Sequence, residues 1–127
     1  MKYIVLVGRI FYSALFIAGS LGHFKRETID FAALQGVPWA AILVPLSGLI
    51  GFLGGLSILI GFKARGGAWL IVVFLVPVTL MMHAFWKIDD GGESSLQKIM
   101  FMKNLALLGA ALLMTHFGSG PMSVDRR

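Results

Sequence analysis

Few side chains in this 127-residue sequence could do chemistry, and where they sit says more than what they are. Arg9 lies six residues into a long apolar run that His23 closes, His83 and Trp86 end a later run, and Lys103 with Asn104 opens the last. Ionisable groups inside apolar stretches are costly to keep, so each is a functional candidate by default. An antiparallel bundle would carry His23, His83, Trp86, Lys103 and Asn104 to one end. Two histidines, a lysine and an amide beside an indole could there hydrogen-bond a quinone carbonyl or attract an acidic head group. Each histidine alone also reads as an interfacial residue bonded to backbone or lipid, and His116 at the opposite end needs nothing more.

Much other chemistry is excluded. The chain has no cysteine, which removes disulfides, thiol relays and thiolate metal sites. No aspartate or glutamate falls inside an apolar run, so a proton relay built on carboxylates is not expected. The histidines lack close ligand spacing and no metal site is assigned; haem between His23 and His83 has only their presence behind it. No nucleophile–base pair or phosphate-binding loop stands in the sequence, and autonomous catalysis is the least supported function. The net charge of +5 is scattered over segment ends, a pattern of membrane anchoring rather than nucleic-acid binding.

The elements that must position these residues are set by hydropathy. Hydrophobic residues make up 57% of the chain and charged ones 13%, about half the charged share of a soluble domain. The expected fold is all-α: one integral membrane four-helix bundle over residues 1–127, with spans at 3–22, 39–62, 68–86 and 99–117. Each span is long enough for about 30 Å of hydrocarbon, which makes the lipid bilayer the first partner. A retained first helix is favoured over a signal peptide because Arg9 splits the apolar region. ETIDFAALQ in the first loop predicts a short interfacial helix ended by Gly36 and Pro38, with Trp39 as an interfacial anchor. Lysine and arginine in the short loops place both termini in the cytoplasm, with Lys2, Lys63, Arg65, Arg126 and Arg127 inside.

The second span is rich in glycine. Gly48, Gly51 and Gly55 fall on one helical face, where small residues let helices approach closely, either within the bundle or in a homo-oligomer. Arg65 belongs to the basic turn that follows. Arg9 has two readings: snorkelling to phosphates about 9 Å away along the helix, or facing inward in a helix–helix polar contact. Its neutral candidate partners are Ser13, Ser47, Ser57 and Thr79.

Several pieces resemble the DoxX family: Gly8-Arg9, GHF at Gly22 to Phe24, GVP at Gly36 to Pro38, and GGLSILIGFKAR from Gly54 to Arg65. So do His83 to Trp86, FMKNLALLGAALL from Phe101 to Leu113, and Ser123 to Arg127. The resemblance implies a small four-helix membrane protein of the bacterial inner membrane, in a family linked to redox complexes. It places the family's polar positions on Arg9, His23, Arg65, His83, Lys103 and Asn104. It also marks a departure, since members often carry a glutamate where this chain has Gly51. The leading expectation is a non-catalytic membrane subunit or accessory of a redox-protein partner, with quinone contact. The alternatives are a small transporter or lipid-handling protein, and a structural or assembly factor without ligand.

Overall fold

Backbone amides in hydrocarbon find no water, so the apolar runs must satisfy their own hydrogen bonds as helices. The computed structural model describes residues 2–82, 86, 91–118, 120 and 123–125. Its helices are α1 (Lys2–Leu21), α2 (Arg26–Leu34), α3 (Ala40–Ile60), α4 (Ala64–Met82) and α5 (Gly91–Phe117), with a 3-10 turn at Gly22–Phe24. Four stretches, Tyr3–Phe24, Ala40–Ile60, Ala64–Met82 and Ser94–Phe117, are long and apolar enough to cross a membrane. The fold is an all-α membrane bundle of four helices, with α2 as the short helix of the first loop.

Some boundaries differ from the hydropathy reading. Helix α4 starts at Ala64 rather than at 68, because a carboxylate from the C-terminal tail caps its first turn. Helix α5 starts at Gly91 rather than at 99, running through the polar ESSLQK segment before it enters the apolar run. Gly36, at φ +95°, ends α2 as expected, and the Val37 amide bonds back to Ala32 O at 3.1 Å.

Helix α1 packs on α3, α3 on α4, and α4 on α5, while α1 and α5 do not pack along their lengths. Tyr12 bridges that gap, its Oη donating to Leu107 O at 2.6 Å. The core holds Phe16, Ile58, Ala68, Ile71, Phe74, Leu75 and Ala111. Helix α2 folds onto α3 through Ala32, Ala40 and Val44. Outward faces carry exposed large apolar residues such as Phe11, Ile42 and Leu113, as a lipid solvent requires.

The glycines of α3 are used inside the chain. A Cβ on Gly48 would lie 2.7 Å from His23 Cβ, and one on Gly55 3.2 Å from Phe16 Cβ. A Cβ on Gly51 would meet the Ser20 hydroxyl at 2.5 Å. Gly54 faces the other way, toward Ile71 and Gly67 O of α4. These faces are buried between α1, α3 and α4, so the glycine argument for a homo-oligomer lapses: the face is already occupied.

Candidate ligand-binding site

At the end of the bundle that carries α2, the helices part around an apolar cavity of about 430 Å³. Thr28 and Ala32 of α2, Val44, Ser47 and Ile50 of α3, and Val73, Phe74, Pro77, Val78 and Met81 of α4 line it, with His23 at one side. Its volume falls within the roughly 300–1,000 Å³ of small-molecule sites. The polar end is built by a short relay. Ser47 Oγ donates to Val44 O at 2.7 Å, and His23 Nδ1 lies 2.9 Å from Ser47 Oγ. With the hydroxyl proton spent on the carbonyl, Nδ1 is the donor. Phe74 supports the imidazole from the side, with ring centroids 5.3 Å apart.

A smaller cavity of about 150 Å³ opens between α1 and α5. Its polar lining is Ser20 of α1, His23, and Lys103 and Asn104 of α5; Phe74 and Val78 form part of its back. His23, Phe74 and Val78 line both cavities, so the two are neighbours across a thin partition.

Arg9 works at the opposite end. It is buried, and its Nη1 donates to Ile58 O at 3.3 Å and Leu59 O at 3.2 Å. A helix leaves its last four carbonyls without intrahelical partners, and here each has one. Ser57 O accepts from the Gly61 and Phe62 amides, Ile58 O and Leu59 O from Arg9, and Ile60 O from Val124 N at 3.1 Å. Asp125 N then bonds Gly61 O at 2.7 Å, and the Asp125 carboxylate accepts from Lys63 N at 2.8 Å and Ala64 N at 3.0 Å. The positive guanidinium sits at the negative end of α3 and the carboxylate at the positive end of α4, both as the helix dipoles favour.

Of the residues singled out in the sequence, the structure brings His23, Lys103 and Asn104 to the smaller cavity. Trp86 is not among its lining; the indole packs edge-on against Phe101 at 5.7 Å. His83 lies outside the described residues. Arg9 faces inward, and the partners given above are backbone carbonyls rather than Ser13, Ser47, Ser57 or Thr79. Arg65 lies beside the Gly118 turn, and Gly48, Gly51 and Gly55 face α1. No group of three or more His, Cys, Asp or Glu among the described residues could hold a metal. Sequence reading missed Ser20, Ser47 as the partner of His23, and Asp125. The Ser123-Val124-Asp125 segment reads as a polar tail until its amides are found capping the α3–α4 turn.

Comparison with known proteins supplies a family. The chain matches the SURF4 family over residues 1–127. It is 36% identical to inner membrane protein YqjF of Escherichia coli K12, over 96% of this chain and 89% of that protein. It is 27% identical to inner membrane protein YphA of the same organism, over 79% of this chain and 71% of that protein. The Surfeit locus protein 4 homolog of Schizosaccharomyces pombe is 25% identical over 98% of this chain, but the match spans only 37% of that longer protein. No solved structure matches. The match corrects the DoxX resemblance, and the redox-complex expectation that came with it is withdrawn. Its quoted pieces are short, and small residues on packing faces with polar groups at span ends are what a bilayer asks of any four-helix bundle. Matched from end to end and more than one-third identical to a bacterial relative, this chain belongs to the SURF4 family of integral membrane proteins.

Proposed function

We propose that the protein is a lipid-handling membrane protein that binds a lipid-soluble amphipathic molecule in the cavity between α2, α3 and α4. The observation that carries this reading is the pairing of an apolar cavity of about 430 Å³ with one hydrogen-bonding relay, His23 and Ser47, at its side. An alkyl or isoprenoid chain fits the apolar walls, and a polar group fits the His23 edge. The names of the two Escherichia coli relatives support residence in a bacterial inner membrane. The basic residues around Lys2, Lys63 and Arg65 support the Arg9 end being cytoplasmic.

Native mass spectrometry of detergent-purified protein tests the reading. Wild type is expected to retain one lipid-soluble molecule. Val73→Trp, which fills the mouth from a position 55% exposed, is expected to lose it, whereas Leu113→Trp on the outer face of α5 keeps it. Equal retention by all three proteins would overturn the proposal.

A further inference from the structure

The smaller cavity carries hydrogen-bonding capacity that the fold leaves unused. Ser20 is 1% exposed and its Oγ has no hydrogen-bond partner. Asn104 is 5% exposed, and its side chain has no hydrogen bond among the described residues. Lys103 lines the same cavity and forms no ion pair among the described residues. Leaving a buried hydroxyl or amide unmet costs about 1–3 kcal/mol each. An ammonium at span depth costs about 2.5–3.5 kcal/mol. No aspartate or glutamate lies in any of the four spans, so none within them supplies Lys103 with a counter-charge.

We infer that the α1–α5 cavity binds an anionic head group, a carboxylate or a phosphate, through Ser20, Lys103 and Asn104. The inference rests on the cavity reading above: the apolar part of the same molecule lies beyond the His23–Phe74–Val78 partition, in the larger cavity. All three polar groups can donate, and an oxyanion is the ligand that accepts from all of them. Water would satisfy Ser20 and Asn104 but leave the ammonium without a counter-ion. The cavity's roughly 150 Å³ holds a small head group and no chain, which suits a bipartite ligand. Tyr12 ties α1 to α5 beside the cavity, its Oη donating to Leu107 O, and Leu107 is one of the lining residues.

The test measures binding of three single-chain probes of equal length to the purified protein: a long-chain carboxylate, the alkyl phosphate and the neutral alcohol. Wild type is expected to prefer at least one anion over the alcohol by about tenfold, the scale of one charge-assisted hydrogen bond. The better anion identifies the source as a free fatty acid or a phosphate-bearing lipid. Lys103→Gln, at an exposed position where folding is not at issue, is expected to bring that ratio to about one while alcohol binding holds. Lys103→Arg is expected to keep the preference, and Ser20→Ala to reduce it. Equal binding of all three probes by wild type, or an unchanged ratio in Lys103→Gln, overturns the head-group site alone. Failure of every probe, the alcohol included, overturns the larger cavity as a chain site and this inference with it.

Discussion

Gly61 and Arg9 are fitted to each other: a Cβ on Gly61 would stand 2.7 Å from Arg9 Nη1. Gly61 holds φ +71°, the left-handed turn that ends α3, and its missing side chain is the space through which the guanidinium reaches Ile58 and Leu59. Arg9→Met strands those carbonyls, at a cost of about 1.5–3 kcal/mol for hydrogen bonds to a charged group. Arg9→Lys keeps the charge but offers one donor centre in place of the planar fork and is expected to lose less. Gly61→Ala should destabilise through both strain and collision. A Cβ on Gly61 collides with Ser123 Cβ as well as with Arg9 Nη1, so only the Arg9 part of the cost is shared, and the double variant should fall short of the sum of the singles by that part in unfolding experiments in detergent.

The Asp125 carboxylate gives α4 its cap from the far side of the chain. Asp125→Ala removes acceptors from Lys63 N and Ala64 N and should cost about 1 kcal/mol, as a lost helix cap does. Asp125→Asn keeps one acceptor oxygen and should fall between the two. The midpoint of thermal unfolding reads the ranking, and protease sensitivity of the tail should rise in the same order.

Close approach across α3 makes the glycines sensitive to size. Gly51→Leu would drive a side chain into Ser20 and Phe74, and Gly54→Leu into Ile71 and Gly67 O. Each is expected to destabilise by about 1–3 kcal/mol or to prevent assembly. Gly109→Leu on α5, where an added Cβ meets nothing within 4 Å, should be nearly neutral. Wild-type unfolding of all three would show that the α1–α3–α4 packing is not as described.

Tyr12→Phe removes the bridge from Tyr12 Oη to Leu107 O and leaves the ring beside Phe16, 5.0 Å away. The loss in stability should be near the average of about 0.6 kcal/mol for a hydrogen bond inside a membrane bundle. Access to the α1–α5 cavity should change more. The chain has no cysteine, so Ser20→Cys supplies a unique reporter. Its rate of labelling by a membrane-permeable thiol reagent should rise when Tyr12→Phe is added.

Hydropathy alone carried much of the architecture. The runs around Ala40–Ile60 and Ser94–Phe117 are apolar enough that a helix is the only single-chain segment that can hide its amides in lipid, so helices and their count were legible. The end of α2 at Gly36 was legible too, because glycine takes a left-handed turn at no steric cost; the left-handed end of α3 at Gly61 was not singled out, and Trp39 and Lys63 hold positive φ without being glycine. The start of α4 was not legible. Its capping residue is Asp125, some sixty residues away, and no local window holds both. The early start of α5 was hidden for a different reason: Gly91 and Gly92 have poor helix propensity, and the polar residues after them argue against a span without arguing against a helix.

The candidate site divides along the same line. Composition by itself determined a membrane-spanning helical chain, basic at segment ends, without thiols or acids in its spans and with a handful of polar residues to account for. Those are one-dimensional facts, because the bilayer acts on each segment separately. The tertiary structure decided which of those residues come together: His23 bonds Ser47, Lys103, Ser20 and Asn104 line one cavity, and Arg9 bonds carbonyls at the end of α3. Trp86 was assigned to the same cluster by its position near a span end, yet its ring turned to Phe101. For the residues that stand on the helices, rotation of each helix about its own axis decides which of them meet, and it is set by which small residues allow close approach on each side. In this chain Gly48, Gly51 and Gly55 turn one face of α3 to α1 while Gly54 turns another to α4, and only packed together do those contacts aim the polar side chains.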